Sequence, residues 1–161
     1  MFEQDVCLES LRAERIVNKA LVCQLINQWH SFRDAPQGWK VALALTDGLN
    51  IYGVSTFGRP VARHEDQVTT LEHTRMALAP NAPRNSATRF MALCRKWIRE
   101  NMPEVSRLIS YVPSDRYTGI TYRADNWRIV YENQVETATW KNRPGRLGNE
   151  AKVRTKFERE P

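Results

Sequence analysis

Residues 69–97 read TTLEHTRMALAPNAPRNSATRFMALCRKW, and the way this stretch divides decides the fold. Thr69 to Leu78 is rich in β-branched and apolar side chains, which favours a strand. Pro80, Asn81 and Pro83 break it, and Asn85 or Ser86 is a suitable N-cap for a helix. Beyond the cap, Phe90, Leu93, Cys94, Trp97 and Ile98 recur at helical spacing, while Arg89, Arg95, Lys96 and Arg99 fall mostly elsewhere on the helix. A strand that feeds a helix through a short turn leaves backbone N–H groups at the helix start, where an anion can bind. Most such turns bind nothing, so the turn alone identifies no ligand.

Within the strand, Leu71, His73 and Arg75 alternate with Glu72, Thr74 and Met76. Simple alternation puts His73 and Arg75 on one face and Glu72 on the other. Ionisable groups on both faces argue against full cover on both sides, so one face is expected to border a cleft.

Upstream, Val6 to Leu8 reads as a short strand and Leu11 to Phe32 as a helix, with Ile16, Ala20, Cys23 and Asn27 along one side. Trp29 and His30 stand at its exit, where packing at the edge of the core is the commoner role. Trp39 to Thr46 and Leu49 to Phe57 read as strands joined at Asp47-Gly48, a strong hairpin signal. Downstream come a strand at Val105 to Val112, a short helix at Tyr117 to Asn126, and a last hairpin from Arg128 to Tyr131 and Val135 to Lys141. Residues 142–161 are polar and basic and read as an irregular arm. The chain thus divides into one domain, 1–141, and a basic C-terminal arm, 142–161. The order of elements implies an α/β (α+β) fold, a mixed twisted sheet with helices on both faces.

The 161 residues carry 24 Lys and Arg against 18 Asp and Glu, a net +6 that favours a polyanionic partner but serves solubility equally well. Cys7, Cys23 and Cys94 form no CxxC pair and no even set, so buried thiols are expected rather than zinc or disulfides. His30, His64 and His73 have no ligand spacing and name no metal site, although the three could converge in space, so a metal requirement stays open. No apolar run approaches the ~20 residues needed to span a bilayer. A soluble, cytoplasmic protein with no membrane partner is expected.

The element order resembles that of the GNAT acyltransferases. Tyr122-Arg123-Ala124-Asp125-Asn126-Trp127 is similar to that family's last helix and its Tyr-x-x-x-Gly-Phe ending, with Asn126 and Trp127 in place of Gly and Phe. A closer resemblance is to the Mom-type branch, phage and bacterial proteins among which Mom modifies adenine in DNA. It is carried by Gly53-Val54-Ser55-Thr56-Phe57-Gly58-Arg59-Pro60, Leu71-Glu72-His73-Thr74-Arg75, Ile109-Ser110-Tyr111, Gly119 with Tyr122-Arg123-Ala124, and Arg143-Pro144-Gly145-Arg146. The resemblance implies acyl transfer to an amine, with acetyl-CoA or another acyl-CoA as donor. It also implies DNA as partner, and the host cytoplasm as location if the chain is phage-encoded. The family's phosphate loop runs Arg/Gln-x-x-Gly-x-Gly/Ala. Here Arg84, Asn85, Ser86, Ala87 and Thr88 stand in it without a glycine, which leaves a donor other than CoA as the alternative.

By the same resemblance Tyr122 matches the acid that protonates the leaving thiolate, and a phenol near pKa ~10 is protonated at pH 7. Asp115, in the loop after the Ser-Tyr strand, is a candidate to accept the amine proton, with turn capping as its ordinary role. Ser110 is a candidate to position substrate or water, and Arg75 to pair with a phosphate. A Ser110–His73–Asp115 triad can be written down, but no nucleophile elbow supports it. Arg59, Arg63, Arg143 and Arg146 are the candidates for tracking a nucleic-acid backbone. Two rivals remain: an N-acetyltransferase of a small-molecule or protein amine, and a phage-encoded binder that keeps the fold without transfer. The assembly, a homodimer among the options, is open.

Overall fold

A computed structural model of the chain describes residues 6–30, 33–136 and 152–161. Among these, a short 3-10 turn (Leu8–Ser10) precedes β1 (Arg12–Arg15), α1 (Lys19–Trp29), β2 (Val41–Thr46), β3 (Ile51–Gly58) and β4 (Thr70–Leu78). After β4 come α2 (Ser86–Asn101), β5 (Arg107–Pro113), α3 (Ile120–Ala124), β6 (Arg128–Glu136) and β7 (Lys152–Arg159). The strands form one sheet in the order β1-β2-β3-β4-β5-β7-β6. The β4–β5 pair is parallel and the others are antiparallel.

The mixed sheet has helices on both faces, as the sequence order implies. On one face Val22 and Ile26 of α1 pack with Ala42, Val54 and Ala77. On the other, Phe90, Met91, Cys94 and Ile98 of α2 join Leu43, Leu45, Phe57, Leu71, Leu108 and Phe157 in the larger core. The Asp47-Gly48 turn joins β2 to β3 as expected. Asp47 Oδ1 accepts the N–H groups of Leu49 (2.9 Å) and Asn50 (2.8 Å), and Gly48 takes φ 100°.

Two boundaries differ from the sequence reading. The expected helix from Leu11 begins only at Lys19, because Arg12 to Arg15 pair as an edge strand with β2, Arg12 opposite Thr46. Asn18 then caps α1, its Oδ1 accepting from the Leu21 N–H at 3.1 Å. The expected hairpin within 128–141 is instead a continuous β6, and its partner comes from the supposed arm. Residues 152–159 insert as β7 between β5 and β6, with Ser110 opposite Phe157. The remainder of the arm, 142–151, lies outside the described residues.

A buried ionic knot holds the C-terminal elements against α2. Arg95 of α2 grips the Asp125 carboxylate with two hydrogen bonds, Nε at 2.7 Å and Nη2 at 2.9 Å. Trp127 Nε1 donates to the same carboxylate at 2.8 Å, and Arg159 of β7 stands 3.6 Å away. Asp125 is buried, so removing it leaves the Arg95 guanidinium without its partner in a poorly hydrated place. Asp125→Ala should lower the unfolding free energy by about 3–5 kcal/mol, measured by urea denaturation.

Candidate active site

Parallel pairing of β4 with β5 covers only Thr70 to Glu72 opposite Arg107 to Ile109. Both strands continue past that point, β4 to Leu78 and β5 to Pro113, without pairing to each other. The gap between them is a cavity of about 440 Å³, lined by residues 73–78 on one side and 110–113 on the other. Its walls include Trp29, His30 and Arg33 from the α1 side and Ala87, Met91 and Tyr122 from the α2 and α3 side. The cavity is therefore lined from both faces of the sheet.

A bulge in β4 sets the orientation of its side chains there. Neighbours Thr56 and Phe57 on β3 face Arg75 and His73, so Thr74 is an extra residue in β4. The bulge overturns the simple alternation. His73 points with Phe57 into the larger core, its ring 4.8 Å from that of Phe57. Arg75 instead goes with Thr56 to the α1 face, where Glu72 also lies. There the Arg75 Nε donates to the Asp34 carbonyl at 2.9 Å and Nη1 to the Thr74 carbonyl at 2.7 Å.

His73 is the centre of a buried polar chain. Its Nδ1 lies 2.6 Å from the Tyr122 hydroxyl and its Nε2 lies 2.7 Å from Ser55 Oγ. Ser110 Oγ donates to the Tyr122 oxygen at 2.8 Å and also approaches the His73 carbonyl at 3.2 Å. Burial lowers the His73 pKa to about 3, the nearby Arg75 charge adding to the effect, so the imidazole is neutral. Burial likewise raises the Tyr122 pKa above that of an ordinary phenol, and Glu72 pushes it the same way. Tyr122 is therefore protonated.

Two hydrogen arrangements satisfy this chain. With the proton on Nε2, His73 donates to Ser55 and Tyr122 donates to Nδ1. With the proton on Nδ1, Ser55 donates to Nε2, His73 donates to the phenol oxygen, and the Tyr122 hydrogen is released toward the cavity. Only the second presents Tyr122 as an acid to a bound group. A neutral imidazole can change from one to the other without creating buried charge.

The Tyr122 ring is fixed by its neighbours. It stacks on Phe157 of β7 (centroids 5.2 Å apart) and meets Trp127 edge-on at 5.0 Å. Gly119, at φ 72°, lets α3 start directly over Phe157; a Cβ there would lie 2.5 Å from the ring.

The turn before α2 supplies donors. Asn85 occupies the left-handed region at φ 67°, a conformation that asparagine tolerates better than most residues. The Ser86 N–H and Oγ both reach the Pro83 carbonyl, at 3.2 and 2.6 Å. Among the described residues, no acceptor meets the N–H groups of Ala87 and Thr88, and Ala87 lines the cavity. Arg84 and Asn85 are exposed.

Of the sequence candidates, Tyr122, Ser110, Arg75 and Ala87 thus meet at one cavity. Asp115 is exposed and does not line it, and Ser110 Oγ reaches the His73 carbonyl rather than its ring, so the triad is not assembled. Arg59 and Arg63 are exposed on the loop between β3 and β4, whereas Arg143 and Arg146 lie outside the described residues. The sequence reading leaves His73 out of the site. Its signal was present, a histidine among strand residues, but the partner Tyr122 is distant in the chain. No group of His, Cys, Asp or Glu able to hold a metal occurs among the described residues. No helix among them is long and apolar enough to cross a membrane.

A seven-stranded mixed sheet whose central parallel pair parts around a cavity is the GNAT fold, and solved structures agree. An N-acetyltransferase from Staphylococcus aureus superposes with a TM-score of 0.61 at 10% identity, over 93% of this chain and 97% of that one. A Bacillus subtilis acetyltransferase in complex with CoA gives 0.61 at 10% identity, over 94% and 99%. A putative acetyltransferase from Salmonella typhimurium with acetyl-CoA gives 0.62 at 10%, over 94% of each chain. No curated protein matches the sequence. The model of the Mom protein family matches residues 12–159, and the chain belongs to that family.

The His73 environment has a measurable consequence. Its native pKa near 3 lies below the unfolded value of about 6.5. Between these values the unfolded chain takes up a proton that the native state refuses, so stability falls as pH drops from about 6.5 toward about 3. The limiting slope for this one group is about 1.4 kcal/mol per pH unit. Urea denaturation at pH 7.5 and pH 5.0 should show a smaller acid loss in His73→Gln than in the wild type.

Proposed function

We propose that the chain is a GNAT-type acyltransferase that acts on the exocyclic amine of a base in DNA, with an acyl-CoA as donor. The observation that carries the transferase reading is the half-buried Tyr122, its hydroxyl held by His73 at the cavity between the parted strands β4 and β5. The Mom family match carries the DNA part.

The residues present fit an acyl-CoA. The N–H groups of Ala87 and Thr88 at the start of α2 offer a phosphate-binding corner, and the left-handed Asn85 shapes the turn where the family uses glycine. Met76, Leu78, Met91 and Val112 give the cavity an apolar wall suited to a pantetheine arm. When bound, the donor would supply a thioester carbonyl open to attack by an amine. Ser110 and His73 hold the phenol of Tyr122 in place, and the tautomer with Nδ1 protonated frees the phenol hydrogen for a leaving thiolate. The amine proton leaves to water, since Asp115 is away from the cavity wall. An acceptor base must be flipped out of the duplex to bring its amine into such a cavity.

The rival acceptor is a small-molecule or protein amine. Mass spectrometry of nucleosides from DNA exposed to the protein in its host distinguishes the two, a modified nucleoside being expected and an unmodified profile favouring the rival. Calorimetry with acetyl-CoA and desulfo-CoA tests the donor, and absence of binding by both would retire the CoA reading. Tyr122→Phe should lower turnover by about 10²–10⁴-fold while desulfo-CoA affinity changes little.

A further inference from the structure

The α1-face end of the cavity has a composition of its own. Trp29 and His30 at the exit of α1, Arg33 just beyond it, and Arg75 at the β4 bulge share that wall. Arg33 and Arg75 are close enough to oppose each other's charge, and both lower the His30 pKa after the effect of burial. The Arg33 backbone N–H donates to His30 Nδ1 at 3.0 Å, which places the hydrogen of a neutral His30 on Nε2. Two carboxylates, Glu72 and Asp34, partly offset the Arg75 charge. Glu72 is itself engaged by the Val61 N–H at 2.8 Å, and burial raises its pKa.

Arg75 is preorganised. Two backbone carbonyls, of Asp34 and Thr74, hold Nε and Nη1, and among the described residues the remaining hydrogens of its five-donor fork meet no acceptor. Two half-buried guanidiniums and an imidazole N–H on one wall favour a tetrahedral oxyanion. A half-buried indole beside them adds a flat apolar face of the kind on which a base stacks. An oxyanion site next to a stacking face is the composition of a nucleotide site. It lies on the opposite sheet face from the α2 turn, so a donor phosphate on the turn would leave it open.

We propose that this end of the cavity is a phosphate subsite for the acceptor, in which Arg33 and Arg75 bind the phosphodiester next to the target base and Trp29 stacks on a neighbouring one. The proposal rests on the nucleic-acid reading of the acceptor and adds to it a direction. The acceptor enters from the α1 face, and the donor from the α2 face.

The test uses the full chain and a fluorescein-labelled, single-stranded, adenine-containing oligodeoxynucleotide, with anisotropy read over a range of salt. Arg33→Gln and Arg75→Gln should each weaken binding about tenfold or more. Each should also make the salt slope shallower by about 0.7, the share of one phosphate contact on a single strand. Arg33→Lys, which keeps the charge but not the fork, should lose less. Trp29→Leu should weaken binding without changing the salt slope. Calorimetry with desulfo-CoA controls for folding and should give the same donor affinity for Arg33→Gln as for the wild type.

Unchanged affinity and salt slope in both glutamine variants would overturn the subsite, as would an absence of oligonucleotide binding by the wild type. The two readings fail separately. Modified nucleosides with unaltered binding curves for both glutamine variants remove the subsite and keep the DNA acceptor. Arginine-dependent oligonucleotide binding with unmodified nucleosides keeps Arg33 and Arg75 as a nucleic-acid phosphate site but removes the DNA acceptor, and with it the assignment of that site to the acceptor.

Discussion

The structure depends on the parting of two parallel strands. β4 and β5 share three ladder positions and then separate, in the middle of a sheet where continued pairing would be expected. Backbone groups that lose a ladder partner inside a protein must find another or face a ligand or water. The Thr74 bulge accommodates the separation by turning β4 just where pairing ends. It sends His73 into one core and Arg75 toward the other face within three residues. A single local irregularity thus produces a cavity that reaches both sides of the sheet and gives its two ends different chemistry.

A parted sheet has to be held from outside, and ionic contacts do this on both flanks. Asp125, Arg95, Trp127 and Arg159 tie α2 to α3, β6 and β7 on the Tyr122 side. On the opposite side Glu65, from the loop before β4, accepts from Arg107 of β5 at 2.8 Å and pairs with the buried Lys156 of β7. Glu158 of β7 contacts Arg107 at 3.1 Å and Arg128 of β6. Surface pairs of this kind would add little, but buried and branched ones fix register, because each charge has few other places to be satisfied. Tyr122 is placed by this frame as much as by its own contacts, since the ring it stacks on, Phe157, belongs to the strand the frame positions.

Much of this was legible in the chain, for identifiable reasons. The strand, turn and helix of residues 69–97 carry strong local signals, and β4 and α2 match them closely. Tyr122, Ser110, Arg75 and Ala87 were marked by family motif and do converge on the cavity. Tertiary pairing hid the rest. Arg12 to Arg15 have no apolar stripe and become a strand only because β2 offers an edge, and the reading of a helix from Leu11 passed over the Asn18 cap. β7 was masked by its charge. Val153, Thr155 and Phe157 alternate with Arg154, Lys156 and Glu158 as a half-buried strand should, but the basic surroundings suggested an arm. The face of Arg75 could not be read at all, because a bulge changes the period of two without changing composition.

The glycine-free turn before α2 shows how far a motif can be separated from its physical requirement. Glycine in a phosphate turn serves two needs, a left-handed backbone and close approach by a ligand. Here Asn85 meets the first at φ 67°, one position ahead of Ser86, whose side chain turns back to the Pro83 carbonyl and so leaves the helix entrance clear. Ala87, with the smallest side chain after glycine, stands at the second position and lines the cavity. The N–H groups of Ala87 and Thr88 remain without acceptors among the described residues, as an anion site requires. The substitution therefore narrows the entrance by a methyl group without removing its donors.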